Sequence, residues 1–188
     1  EVFPNANYHS LQKSYRTTVE IMQTANDILL IMNKDLPIVE PVIRHGHKPC
    51  FTKIDPANLD QVREIIEKDI YLLKEEELNS IAIIGRTDSE CVRIHQMLEN
   101  SNLPIQLLEE KEDMKKGSVV ILPSYLSKGL EFDAVLILTL EEAYSEEELD
   151  VKLLYVAMTR PMHVLYLYGK SQSDLLLNRV SSEYFSLQ

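Results

Sequence analysis

Val119-Val120-Ile121-Leu122-Pro123-Ser124-Tyr125-Leu126-Ser127-Lys128-Gly129-Leu130-Glu131-Phe132-Asp133-Ala134-Val135-Leu136-Ile137-Leu138 contains two apolar runs joined by a polar, glycine-bearing segment. The runs 119–122 and 134–138 are rich in β-branched residues and too short for buried helices. Neither alternates polar with apolar, so each reads as a strand covered on both faces. Ile81-Ala82-Ile83-Ile84 and Val164-Leu165-Tyr166-Leu167-Tyr168 have the same character. Helical segments separate them, and the expected class is α/β, a mostly parallel sheet flanked by helices on both faces.

Three helix starts carry the Ser/Thr-x-x-Glu spacing in which a cap hydroxyl and a glutamate satisfy each other's backbone donors. Thr17 with Glu20 predicts a helix over about 17–32, Thr87 with Glu90 one to about 98, and Ser145 with Glu148 one to about 159. A fourth is expected from Asp55, with Pro56 in the tolerated first turn. For the helix before Arg160 the expected buried stripe is Leu149, Leu153, Val156 and Ala157. The stretch 41–53 reads as a pair of edge strands around His45-Gly46-His47. Without repeats or low-complexity linkers, 1–188 is expected to form a single domain.

At 188 residues the chain is long enough to bury a sizeable core, and no apolar run approaches the length that spans a bilayer. Two cysteines without CxxC spacing fit a reduced, cytoplasmic protein. The net charge of −11 speaks against a free-standing nucleic-acid binder, although its clustering at 75–77, 109–113 and 141–150 leaves room for a local contact strip. A chain that opens on Glu1 rather than Met is expected to be a fragment of a longer protein.

Several polar residues are not required by any core. Tyr15 offers a flat face for a base and Arg16 a planar fork for phosphate oxygens, just ahead of a helix. Gly129 permits close backbone approach, and Glu131 can accept from ribose hydroxyls. Pro161 disfavours helical backbone at Arg160, so the helix should stop there; a cation at a helix C-terminus is also favourable by itself. Arg86 and the 124–127 segment follow apolar strands, at the carboxyl edge where open α/β sheets bind ligands.

Two apparent motifs carry no site. Gly169-Lys170-Ser171 ends like a phosphate-binding loop, but the earlier glycine position is Val164, inside a strand. His45, His47 and Cys50 match no zinc spacing, so no metal site is expected.

Ser127-Lys128-Gly129-Leu130-Glu131-Phe132-Asp133 and Leu154-Tyr155-Val156-Ala157-Met158-Thr159-Arg160 resemble the fifth and sixth motifs of superfamily 1 DNA helicases of the UvrD/Rep type. The run 11–18 is similar to their fourth motif. The resemblance covers about residues 8–170 and corresponds to the second RecA-like motor domain, commonly called 2A. It implies that Tyr15 stacks on adenine, Glu131 holds the ribose, and Arg16 and Arg160 reach the terminal phosphate, Arg160 as the arginine finger. Arg86-Thr87-Asp88 resembles an accessory Arg-Thr-Asn motif near the nucleic-acid channel. Where the family usually has Thr-x-His, this chain has Pro123-Ser124-Tyr125. Pro123 supplies no donor, which leaves Ser124 and Tyr125 as the expected nucleic-acid contacts. Only about thirty residues separate Arg86 from Val119, too few for the helical insertion of UvrD and Rep. Both departures resemble helicase IV and the HelD-like proteins associated with RNA polymerase.

No phosphate-cradling Gly-x-x-x-x-Gly-Lys-Ser/Thr occurs, and no strand ends in paired Asp-Glu. The resemblance therefore implies that ATP with Mg2+ binds between this domain and an N-terminal RecA-like domain that supplies the Mg2+ ligands. Single-stranded DNA or a partial duplex is the expected partner and RNA polymerase the alternative one; the domain alone is expected to be inactive.

Overall fold

The computed structural model describes residues 13–14, 17–32, 40–41, 44–110 and 112–188. The elements run β1 (Lys13–Ser14), α1 (Val19–Leu29), β2 (Glu40–Pro41), β3 (Cys50–Lys53), α2 (Leu59–Glu75), β4 (Ile81–Gly85), α3 (Asp88–Leu98), β5 (Ile105–Leu107), β6 (Val119–Pro123), β7 (Phe132–Leu138), α4 (Glu148–Met158), β8 (Pro161–Gly169) and β9 (Ser186–Leu187). β1 and β2 form a small separate sheet. The other seven strands form one sheet in the order β5-β6-β4-β7-β8-β3-β9, with every pairing parallel.

The apolar runs become strands because both faces of this sheet are covered. On one face Ala82, Ile84, Val120, Leu122, Val135, Ile137, Leu165 and Leu167 meet α1 (Ile21, Ala25, Ile28) and α4 (Val151, Leu154, Ala157, Met158). On the other, Ile81, Ile83, Val119, Ile121, Ala134, Leu136 and Val164 meet α2 (Val62, Ile66, Ile70, Leu73) and α3 (Cys91, Ile94, Leu98). Neighbouring residues of one strand thus belong to different cores, as the two-residue period requires.

Several local expectations shift. The cap of α1 is Thr18, whose hydroxyl accepts from the Ile21 amide. α2 starts at Leu59 behind Asn58, because the Asp55 carboxylate takes the Ala57 amide into a turn instead. Thr87 does cap α3, but Glu90 does not reach back to it. The Glu90 carboxylate is fully buried and accepts from the Leu140 and Glu141 amides just past β7. α4 starts at Glu148, and Ser145 turns its amide and hydroxyl to Asp150 rather than Glu148. The stripe of α4 is rotated from the expected one: Val151, Leu154, Ala157 and Met158 are buried, whereas Leu149 is 67% exposed. The pair of edge strands expected at 41–53 is not formed, since β2 and β3 lie in different sheets and β3 sits between β8 and β9.

Consecutive strands β6 and β7 are separated in space by β4. Residues 124–131 therefore carry the chain across β4, from the carboxyl edge of the sheet back to its amino edge. They begin with a 3-10 turn, Ser124–Ser127, packed against α4.

Candidate functional site

The parallel register divides the candidate residues between two edges. Phe132 pairs with Pro161 at the amino ends of β7 and β8, so Gly129, Glu131 and Arg160 lie just before that edge. Arg86 follows Gly85, and Ser124 and Tyr125 follow Pro123, at the carboxyl ends of β4 and β6. Seven residues of β7 set the edges about 20 Å apart. α4 spans them on one face of the sheet, roughly 16 Å of helix.

At the amino edge Arg160 is 8% exposed and tied to its surroundings. Its Nε donates to the Val156 carbonyl at 2.9 Å, its Nη2 to the Thr159 hydroxyl at 3.2 Å, and its Nη1 to the Leu130 carbonyl at 3.4 Å. In return, the Phe132 amide donates to the Arg160 carbonyl at 3.2 Å. The cation thus sits on the carbonyls that end α4, where the helix dipole favours it. Through its guanidinium and its backbone carbonyl, Arg160 is tied to the residues on both sides of Glu131, which is itself exposed. Gly129 has φ +89°, and nothing lies within 4 Å of where a Cβ would stand. Burial raises the Tyr155 hydroxyl pKa, and nearby Arg160 opposes that shift. The amino-edge cluster offers an exposed carboxylate, a held guanidinium and open backbone. That combination suits a sugar hydroxyl beside an anionic group.

The same edge holds the start of α1. The Arg44 carbonyl accepts from the Val19 amide, and Arg44 also reaches His163 of β8. Glu20 in the first turn bonds His45 and the Gly46 amide. Tyr15 and Arg16 lie outside the described residues.

At the carboxyl edge the side chains are engaged with one another. Arg86 Nε donates to Asp150 at 3.0 Å, and Glu142 accepts from Thr87, Ser89 and Arg93. The bond to Asp150 raises the Arg86 pKa against its burial. Burial pushes Asp150 up, but the Ser145 amide and Arg86 outweigh it and hold the carboxyl below its usual range. Tyr125 is 43% exposed, its hydroxyl donating to Asp88 at 3.1 Å.

Ser124 requires a correction. It is fully buried, its hydroxyl held between the Gly85 carbonyl at 3.1 Å and the Tyr144 hydroxyl. It clamps the crossover onto β4 and presents nothing to a nucleic acid. Tyr125 is the member of that pair at the surface.

Sequence reasoning missed Asp150, Glu142 and Thr159. Asp150 had a signal, because it shares the spacing of Leu154 and Ala157 on the buried side of α4, although it closes the acidic cluster 141–150. Thr159 had none, being an ordinary polar residue at a helix end.

Among the described residues, no three His, Cys, Asp or Glu side chains are arranged to hold a metal ion. The Ser171 that follows Gly169-Lys170 gives its amide and hydroxyl to Asp174, closing a turn on itself. No helix among the described residues is long and apolar enough to cross a membrane.

Residues 118–168 match the model of a family described as the UvrD-like helicase C-terminal domain. Among solved structures, the C-terminal domain of a possible DNA helicase from Lactobacillus plantarum WCFS1 is similar, with a TM-score of 0.70 and 30% identity. That match covers 93% of this chain and 98% of the other. The E. coli DEAD-box protein SrmB, solved bound to regulator of ribonuclease activity A, matches with a TM-score of 0.51 over 77% of this chain and 91% of its own. At 14% identity, that likeness is one of fold alone. No curated protein matches the chain.

Proposed function

Because the chain belongs to the family of UvrD-like helicase C-terminal domains, we propose that it is the second motor domain of an ATP-dependent DNA helicase or translocase. It completes an ATP site across the cleft to an N-terminal RecA-like domain and holds single-stranded DNA at its carboxyl edge. The observation that carries this reading is the joint anchoring of Arg160 and the 130–132 segment, which brings a cation and the Glu131 carboxylate to one edge.

In this reading Glu131 accepts from the ribose hydroxyls, and the open backbone at Gly129 leaves room for the sugar. Arg160 and Arg16 face the terminal phosphate and stabilise charge on the transferring group, while Tyr15 stacks on the base. Bound ATP supplies the phosphoryl group transferred to water, and the Mg2+ ligands belong to the N-terminal domain. Tyr125 and Arg86 meet the DNA, Tyr125 by stacking. Alternate closing and opening of the two domains moves the protein along the strand.

A second reading has its own support. Among the described residues, only α3 and β5 separate β4 from β6, with no inserted helical subdomain, and Pro123-Ser124-Tyr125 leads into the crossover. Both features favour the helicase IV and HelD-like branch, and in a HelD-like protein the same domain would serve an RNA-polymerase-interacting ATPase without strand separation.

ATP hydrolysis measured on the isolated domain and on the complete chain, with and without single-stranded DNA, tests the primary reading. The isolated domain is expected to give no turnover and the complete chain DNA-stimulated turnover. Robust hydrolysis by the domain alone overturns it. Strand-displacement and polymerase pull-down assays on the complete chain separate the two branches.

A further inference from the structure

We propose that Thr159 is a positioning residue for the Arg160 guanidinium, a role that rests on reading Arg160 as the residue facing the terminal phosphate. Thr159 closes α4 with φ −96° and ψ 10° and is 7% exposed. Its hydroxyl lies 3.0 Å from both the Tyr155 and Val156 carbonyls, which share its single proton. A helix-ending threonine needs nothing more than this to satisfy its own hydroxyl. Here the oxygen has a second task, because it also accepts from Arg160 Nη2 at 3.2 Å.

That second bond reinforces an orientation. The Val156 carbonyl accepts from Arg160 Nε at 2.9 Å, a bond that lies in the plane of the fork and sets its turn about the Cδ–Nε axis. The Nη1 bond to the Leu130 carbonyl is longer, at 3.4 Å. Thr159 holds the far end of the same plane through Nη2, so rocking the fork out of that plane strains two bonds, both made to the last turn of α4. The plane of the cation is therefore set by the helix before any nucleotide arrives. A group placed in advance where charge develops lowers the barrier to transfer more than it strengthens ground-state binding.

The test uses the complete chain, with steady-state ATP hydrolysis measured for Thr159→Val, Thr159→Ala, Thr159→Ser, Arg160→Ala and the double variant T159V/R160A. Removing the hydroxyl is expected to lower kcat about 10-fold while KM for ATP stays within about twofold. Thr159→Ser, which keeps the oxygen, is expected to restore kcat to within about twofold of the parent. In the Arg160→Ala background, Thr159→Val should cost nothing further, because its effect passes through the arginine. Thr159→Ala repeats the comparison should valine disturb folding. The inference is overturned if Thr159→Val and Thr159→Ala turn over at the parent rate while Arg160→Ala does not. It is also overturned if Thr159→Val lowers kcat equally in both backgrounds. Parent-like turnover by Arg160→Ala instead removes the reading of Arg160 itself.

Discussion

The guanidinium of Arg160 donates to the carbonyl of Leu130 at 3.4 Å, and the Phe132 amide returns a bond to the Arg160 carbonyl at 3.2 Å. Glu131 lies between Leu130 and Phe132, so the carboxylate and the cation share one anchor although twenty-nine positions of chain separate them. The parallel pairing of β7 with β8 brings the end of α4 beside the end of the crossover.

Glu131→Gln separates sugar recognition from phosphate chemistry. In the complete chain, KM for ATP is expected to rise about tenfold with kcat within about twofold, and the preference for ATP over 2′-deoxy-ATP should shrink. Steady-state kinetics with both nucleotides checks this. Unchanged discrimination would remove Glu131 from the ribose.

Ser124→Ala and Tyr125→Ala should part company. Loss of the Ser124 hydroxyl strips the Tyr144 hydroxyl and Gly85 carbonyl of a buried partner and is expected to destabilise the fold by about 1–3 kcal/mol. Tyr125→Ala should leave the thermal midpoint unchanged and weaken single-stranded DNA binding by about 1–3 kcal/mol. Thermal melts and fluorescence anisotropy with a labelled oligonucleotide read the two effects. The reverse pattern would contradict the assignment of each side chain.

The layers of the fold were legible locally, because an unbroken apolar strand needs cover on both faces and says so in its composition. The 119–122 and 134–138 runs lie within β6 and β7, and Thr87 caps the helix that its spacing announced. Strand order was not legible. Nothing in the 124–131 segment records that β4 lies between the strands it joins, so the division of the site residues between two edges was invisible. The burial of Ser124 follows from that same crossing. Chain neighbours Ser124 and Tyr125 look alike as candidates until the turn puts one under α4 and the other in solvent. Arg160 stood out because it departs from an apolar stripe, whereas its support from Thr159 and Val156 depends on how α4 ends.

The carboxyl-edge ion pairs give the domain an acid limb. Asp150 is held low despite burial by the Ser145 amide and Arg86; Glu142 is held low chiefly by the Ser89 hydroxyl, and against burial by Thr87 and Arg93. A carboxyl lowered by folding stabilises fully above its ordinary value, 3.8 for Asp and 4.5 for Glu, and that contribution fades as pH falls through the lower folded value. Urea midpoints are expected to hold steady from neutrality to about pH 5 and then drop. The Asp150→Asn/Glu142→Gln double variant should be less stable at neutrality and lose less on acidification. Parallel pH curves for the two proteins would exclude these carboxylates as the cause.

Thiol labelling provides a check on the α3 core. Burial pushes the Cys91 thiol up to about 12, and its side chain is 1% exposed, whereas Cys50 is partly exposed in β3. At pH 8 one thiol of the native domain should react rapidly with iodoacetamide, and the second only as the protein unfolds. Peptide mapping should place the fast label on Cys50. Rapid labelling of Cys91 would contradict the packing of α3 on β4.

DNA-stimulated ATP hydrolysis by the complete chain carrying Arg160→Ala, beside Arg160→Lys, tests the nucleotide role of the amino edge most directly. Lysine keeps a cation at the end of α4 but lacks the planar fork, so it separates support of the helix from action on phosphate. Arg160→Ala is expected to lose at least about 100-fold in kcat. Arg160→Lys is expected to fold like the parent yet recover only a minor part of that loss. Turnover by Arg160→Ala at the parent rate would contradict the account.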